Sequence, residues 1–241
     1  MADVQQSEYY SGDIARQLLA HYDAHARTLP WRTPPGAGFT NPYHVWLSEI
    51  MLQQTTVAAV GSYFQKFTHI WPSFAALAAA ADADVMAAWA GLGYYARARN
   101  LLKCARVVVT EHGGRLPETE AELLKLPGVG PYTAAAITAI AFGQRAVVVD
   151  ANVERVVSRL FAISTPLPQS KPLIRAATDS ITPDRRAGDF AQAMMDLGAG
   201  MCSVRAPSCL VCPVAFACEG MRLGNPEVYP AKTPKAAKPQ R

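Results

Sequence analysis

Apolar residues recur along this chain at the three-to-four-residue spacing of amphipathic helices, in runs separated by widely spaced proline and glycine. That periodicity predicts a mostly helical protein. A first helix is expected from about Gly12 to Thr28, stopped by Leu29-Pro30-Trp31-Arg32. Thr33–Thr40 reads as a Pro/Gly-rich loop, and Asn41-Pro42 then supplies a capping side chain followed by proline at the first helical position. The helix opened there carries Val45, Trp46, Leu47, Glu49, Ile50 and Leu52. Further helices are expected at roughly 57–70, 73–80, 82–90 and 95–112. Thr119 and Glu122 have capping-box spacing for a short helix. That helix ends in Leu126-Pro127-Gly128-Val129-Gly130, and Pro131 starts the next. Ala146–Val149 is an extended apolar link, and Asp150 opens a helix running through Phe161. Two more helices lead to a cysteine-rich segment, and the last dozen residues, rich in Lys, Pro and Ala, read as a flexible tail. No internal repeat of fixed period is visible.

Composition narrows the class. Half of the residues are hydrophobic and 17% are charged, which excludes a disordered chain. The formal net charge is +4, but the stretch from Tyr229 holds Lys232, Lys235, Lys238 and Arg241 and no acid, so the rest of the chain is near neutral. Strong long-range attraction to a polyanion is therefore absent, and any nucleic-acid binding must use local devices. No apolar run reaches the roughly 20 residues of a membrane span, and the polar opening from Met1 to Asp13 lacks the apolar core of a signal peptide. A cytoplasmic, reducing location is the expectation, with no membrane partner.

Four of the five cysteines crowd together as Cys202-x6-Cys209-x2-Cys212-x5-Cys218. A disulfide framework spreads its cysteines along a short secreted chain, whereas this cluster near one end of a longer chain reads as a metal site. By spacing alone, four thiolates in one loop hold either an iron–sulfur cluster or a zinc ion. The fifth, Cys104, sits in an apolar helix and reads as a packed core thiol.

Gly128, Val129 and Gly130 form a tight turn between two helices. Its glycines let a phosphate approach the backbone, and the following helix offers unpaired N–H groups. Glu49 lies one turn from Trp46 and Leu52; by position alone it reads as a surface residue, whereas burial would favour its protonated form and suit it to donating a proton. Asp150 is a preferred helix cap and also a carboxylate well placed to stabilise a developing positive charge. Gln54 and Thr55, and the run Gly91-Leu-Gly-Tyr94-Tyr-Ala-Arg97-Ala-Arg-Asn100, bring amides for base edges, tyrosines that wedge between bases and arginines that reach phosphates. Each of these alone serves equally well as a cap or a solvated face.

In one order, these strings resemble the endonuclease III superfamily of helix-hairpin-helix DNA glycosylases, and most closely its MutY-type adenine-removing branch. The resemblance runs from about Gly12 to Glu219. Its anchors are Leu29–Arg32, Val45–Thr55, Gly91–Asn100, the Leu126 turn, Asp150–Val153, Gln192–Ala199 and the four cysteines. It implies an all-α fold: a six-helix barrel domain carrying the helix-hairpin-helix (about 34–144) and a second helical domain (1–33 with 145–221) around a [4Fe-4S] cluster held by Cys202, Cys209, Cys212 and Cys218, followed by a tail at 222–241. The active site is expected in the cleft between the two. The resemblance covers the catalytic region and stops before the C-terminal domain with which MutY proteins recognise 8-oxoguanine. Two departures stand out: a long Thr33–Thr40 loop, and Ala151 where glycine is usual.

The implied activity is base excision repair: monofunctional hydrolysis of the N-glycosidic bond of adenine opposite 8-oxoguanine or guanine in duplex DNA, by a monomer associated with the nucleoid. Tyr132 stands where strand-cleaving members carry lysine, and a phenol cannot form a Schiff base. On this resemblance Glu49 protonates the flipped adenine and later activates water, and Asp150 stabilises the oxocarbenium-like sugar. Tyr132 and Asn152 position Asp150 and the nucleophile. Gln54 and Tyr94 open the stack and fill the gap, with Thr55 beside them, and Arg97 reaches a phosphate. Gly128, Val129 and Gly130 grip the backbone, and Arg32 and Gln192 hydrogen-bond the extruded base. The alternatives are a thymine–guanine mismatch glycosylase, since some of these also carry tyrosine at that position, and a non-catalytic iron–sulfur DNA-binding module.

Overall fold

The computed structural model describes residues 3–232, with side chains from residue 12 onward. The described residues are all-helical apart from loops and a single isolated β-bridge between Leu167 and Lys232. They divide into two compact units. One holds Ala26–Ala146 with Asp184–Gly188, and the other holds Val147–Pro183 with the chain up to His25 and from Asp189 onward.

The Ala26–Ala146 unit is organised around α2 (Pro42–Leu52). Asn41 caps it by accepting from Tyr43 N at 2.9 Å, and Pro42 begins it. Tyr43 and every residue from Val45 to Met51 are buried. A helix buried on all sides must be surrounded, and α2 packs on α3 (Val57–Ile70), α6 (Ala96–His112) and α8 (Pro131–Phe142). Between them run α4 (Phe74–Ala78), α5 (Asp82–Trp89) and α7 (Glu120–Leu123). Aromatic edges fill the space near the start of α2: Tyr43, Trp46 and Phe74 stack within 5.8 Å of one another, and the Tyr43 hydroxyl donates to Trp71 O. Cys104 is fully buried here, and burial pushes its thiol up to about 12.

The second unit is built from α1 (Asp3–His25), α9 (Ala151–Leu160), α10 (Lys171–Ile181), most of α11 (Ala187–Asp196), a π-helical turn (Leu197–Met201) and α12 (Glu219–Arg222). In this unit α9 is central, touching α10, α12 and the π-turn.

Three expectations are revised. The first helix begins earlier and ends at His25 rather than near Thr28, well short of the conformational restriction that Pro30 places on Leu29. Residues 26–33, expected with the cysteine-bearing unit, group with the other, where Trp31 packs edge-on against Phe64 at 5.5 Å. Residues 222–232 are not loose. Leu167 N donates to Ala231 O at 3.1 Å and Arg159 Nε donates to Tyr229 O, so this stretch is pinned to the cysteine-bearing unit. The remainder of the expected tail, 233–241, lies outside the described residues.

Candidate active site

Glu49 lies in the middle of α2 and is only 6% exposed. The reading of this residue as a surface glutamate does not survive, because α2 has no solvent stripe on which to place it. Burying a carboxyl costs free energy that an apolar side chain would not, so its position needs a reason beyond folding.

The C-terminal end of α2 runs into Gln53-Gln54-Thr55. Gln54 is exposed and left-handed (φ 58°). Thr55 turns its hydroxyl back to Gln53 O at 3.2 Å, and Gln53 Nε2 donates to Thr133 Oγ1 at 3.3 Å, tying this end to α8. Tyr94 is 61% exposed and also left-handed (φ 49°). Arg97, expected at a phosphate, is instead buried. Its guanidinium is committed to main-chain carbonyls, because helix-end carbonyls left without donors attract a cation.

The hairpin follows from α7 and α8. Thr119 Oγ1 accepts from Glu122 N at 3.4 Å, while the Glu122 carboxylate pairs with Lys125, which lowers its proton affinity. After the turn, Gly130 precedes α8 with no side-chain cap, and Pro131 takes the first position. Val129 is buried, whereas Gly128 is exposed and left-handed (φ 77°). A Cβ on Gly128 would sit 2.9 Å from Asn100 Cβ. Gly128→Ala should therefore cost about 1–3 kcal/mol in thermal or denaturant unfolding, from backbone strain and crowding, and should weaken duplex binding measured by fluorescence anisotropy. A variant of unchanged stability would mean that the turn relaxes freely. Tyr132, one residue into α8, is half-buried, and so is Arg32 in its loop.

In the other unit Asp150 caps α9. Its Oδ1 accepts from Val153 N at 2.7 Å and its Oδ2 from Asn152 Nδ2 at 2.9 Å. Asn152 Oδ1 in turn accepts from Arg155 Nη2 at 2.9 Å, and Arg155 Nε donates to Cys202 O at 2.9 Å. Gln192, on α11, is buried. Glu49 and Asp150 thus belong to different units, and each is fixed by its own helix.

Cys202, Cys209, Cys212 and Cys218 line one apolar-walled cavity with Val156, Leu160, Leu197 and Val214. Among the described residues, no three His, Cys, Asp or Glu side chains are gathered into a ready-made single-ion site. The four cysteines instead share the lining of that cavity. Burial pushes Cys209, Cys212 (to about 11) and Cys218 up; backbone hydrogen bonds at Val214 and Met221 oppose it at Cys212 and Cys218, and repulsion among the cysteines adds to it. Without a positive centre these would remain thiols at neutral pH. Four cysteines lining one cavity fit a thiolate-ligated metal group, whose positive centre would favour the ionised form of its ligands.

Sequence reasoning missed Arg159. It is 2% exposed, and it donates to the carbonyls of Ser203 (2.6 Å), Val204 (3.0 Å) and Tyr229 (3.2 Å) and to Cys202 Sγ (3.3 Å). The signal was present as the i, i+4 pair Arg155 and Arg159 on α9.

With this geometry in view, comparison with known proteins defines the class. The HhH-GPD superfamily of base excision DNA repair proteins matches residues 47–183, and the chain belongs to it. Among curated relatives, human adenine DNA glycosylase is 46% identical over 208 residues, covering 83% of this chain and 38% of that protein. The adenine DNA glycosylase of Mycolicibacterium smegmatis is 38% identical over 210 residues, covering 87% and 70%. The chain spans about two fifths of the length of the animal and plant relatives it matches (38–42%). Among solved structures, a thermostable thymine-DNA glycosylase superposes with a TM-score of 0.77 at 28% identity, covering 92% of this chain and all of that one. Endonuclease III in a non-covalent DNA complex shares the fold at 23% identity (TM-score 0.73; 90% and 97% covered).

Proposed function

We propose that this chain removes adenine mispaired with 8-oxoguanine or guanine from duplex DNA by hydrolysing its N-glycosidic bond, leaving the strand intact. The observation that carries the reading is Glu49: a carboxyl buried in the central helix of a base-excision fold, where packing alone would place an apolar side chain. Adenine, once out of the stack, leaves far more readily when protonated. Glu49 supplies that proton, and its carboxylate then activates water. Asp150, held by Val153 N and Asn152 Nδ2, faces the developing charge on the sugar as a fixed carboxylate. Tyr132 offers a phenol rather than an amine, so no Schiff base forms and no lyase step follows. Arg32 and Gln192 bind the extruded base, Gln54, Thr55 and Tyr94 occupy the disturbed stack, and the Gly128–Gly130 turn holds phosphate through main-chain amides. This last device suits a chain whose charge outside the tail is near zero.

In the cysteine-bearing unit we propose a [4Fe-4S] cluster on Cys202, Cys209, Cys212 and Cys218. Four protein ligands complete its coordination, so its contribution is to hold the loop in shape. The cavity that the four cysteines share and the Arg159 hydrogen bond to Cys202 Sγ support a thiolate-ligated group here, and the family resemblance favours the cluster over a single zinc ion. The protein works on DNA as a monomer, in the cytoplasm at the nucleoid.

One assay tests the activity. Labelled duplexes carrying A opposite 8-oxoguanine, A opposite G, and T opposite G are incubated with the protein and divided into alkali-treated and untreated halves. Cleavage of the two adenine substrates only after alkali is the expected outcome. Cleavage of the T strand alone would transfer the assignment to thymine removal, which the 28% identical thymine-DNA glycosylase makes the specific competitor. Cleavage of none would leave a DNA-binding module.

A further inference from the structure

Arg97 is an unusual arginine. It is 7% exposed, and its hydrogen bonds go to main-chain carbonyls on two separate segments. Nη1 donates to Met51 O at 2.9 Å and Ile50 O at 3.4 Å, in the last turn of α2. Nη2 donates to Leu92 O at 3.0 Å and Gly93 O at 3.4 Å, in the loop after α5. The guanidinium carbon also lies 5.4 Å from the ring centroids of both Trp89 and Tyr94. The loop is pinned from outside as well. Trp89 Nε1 donates to Gly93 O at 3.0 Å, and Tyr63 Oη donates to Ala90 O at 2.7 Å, so close to Gly91 that a Cβ there would collide with the phenol oxygen.

These two segments present Gln54 and Tyr94, the two exposed non-glycine residues in left-handed conformation on either side of the guanidinium. Strained backbone of this kind persists only where its surroundings over-determine it.

We infer that Arg97 is a positioning residue: a fork that fixes the spacing between the Gln54 and Tyr94 segments, and so sets the shape of the surface that meets the disturbed base pair, without touching DNA itself. The inference rests on the proposed function for what that surface meets, and on geometry alone for the clamp. A planar guanidinium with separated donors bridges two carbonyl groups at fixed distance; a lysine ammonium is a point charge on a flexible stem and does not. The fork also places a positive charge against the carbonyl end of α2.

The test has four parts. In the intact wild-type protein, nitrogen-15 guanidinium spectra should show the Arg97 Nη groups hydrogen-bonded and unmoved by added duplex; a shift on titration would make Arg97 a DNA contact and overturn the inference. In Arg97→Met and Arg97→Lys, amide exchange should quicken at least about tenfold in peptides covering 50–55 and 90–96 together while α8 keeps its protection. Quickening in one segment only, or across the whole unit, would overturn it. Per folded molecule, single-turnover excision should fall by about a hundredfold in both variants, as for groups misplaced by about an ångström. The slope of log affinity against log salt for undamaged duplex should stay as in wild type; a loss of about one unit would mark a phosphate contact. Normal excision by Arg97→Lys would reduce the residue to a charge. If wild-type protein excises no base, the functional reading fails, while the spectra and the exchange pattern still decide the clamp.

Discussion

Glu49→Gln should lower single-turnover excision of adenine by about a thousandfold, within the range that a general acid contributes, with duplex binding retained. Glutamine matches glutamate in shape and keeps a hydrogen-bonding head, so the packing of α2 against α3, α6 and α8 has no reason to change. What disappears is the acidic proton and, in the second half of the reaction, the base. Adenine leaving as an anion is the step that then limits the rate. The measurement is a denaturing-gel time course with enzyme in excess, beside anisotropy on an uncleavable duplex. A variant within a few-fold of wild type would remove Glu49 from the chemistry and with it the main support for the hydrolase reading.

Asp150→Asn carries the second large effect, a fall of about 10²–10³-fold, the cost of removing one preorganised charge from a transition state. Here the expected loss must be separated from loss of a helix cap. Asparagine caps as well as aspartate, so α9 should survive. The carboxylate, however, accepts on both oxygens, from Val153 N and from Asn152 Nδ2, and the amide has one oxygen to offer. One bond is therefore lost, worth about 1 kcal/mol, far less than the catalytic effect. Melting curves and excision rates measured on the same preparations divide the two. An Asp150→Asn variant that melts slightly lower and excises normally would make Asp150 a cap and nothing more.

Much of this molecule was legible in its sequence, and the parts that were not share a physical cause. Asn41-Pro42, Thr119 and Asp150 signal their helices through local hydrogen bonding, and the glycine turn at 128–130 does so through backbone freedom; such features are settled within a few residues. Cysteine spacing likewise brought together four residues that line one cavity. Glu49 was ambiguous because a helix buried on every side has no polar stripe against which to judge a single acid. Arg97 was misread as a phosphate contact because its burial depends on carbonyls about 45 residues away, at Ile50 and Met51, as well as on nearby Leu92 and Gly93, and no local pattern foretells the distant pair. Arg159 was missed for the same reason: an arginine is expected in water, and only the fold brings the carbonyls of 203, 204 and 229 around it. The packing of 222–232 depends on a distant partner at Leu167, whereas composition spoke only for looseness.

The placement of α2 has one more consequence. The helix that bears the proposed acid is also the hub on which the rest of its unit is stacked, so scaffold and chemistry have no independent parts there. An enzyme whose reactive group hangs on a peripheral loop tolerates faults in its interior as long as it stays folded. In this one, a methyl group too many or too few at Trp46, Leu47 or Ile50 moves the carboxyl along with the core. Inherited or engineered changes at these greasy positions should therefore register first as a slowing of the proposed excision, in protein that still purifies well.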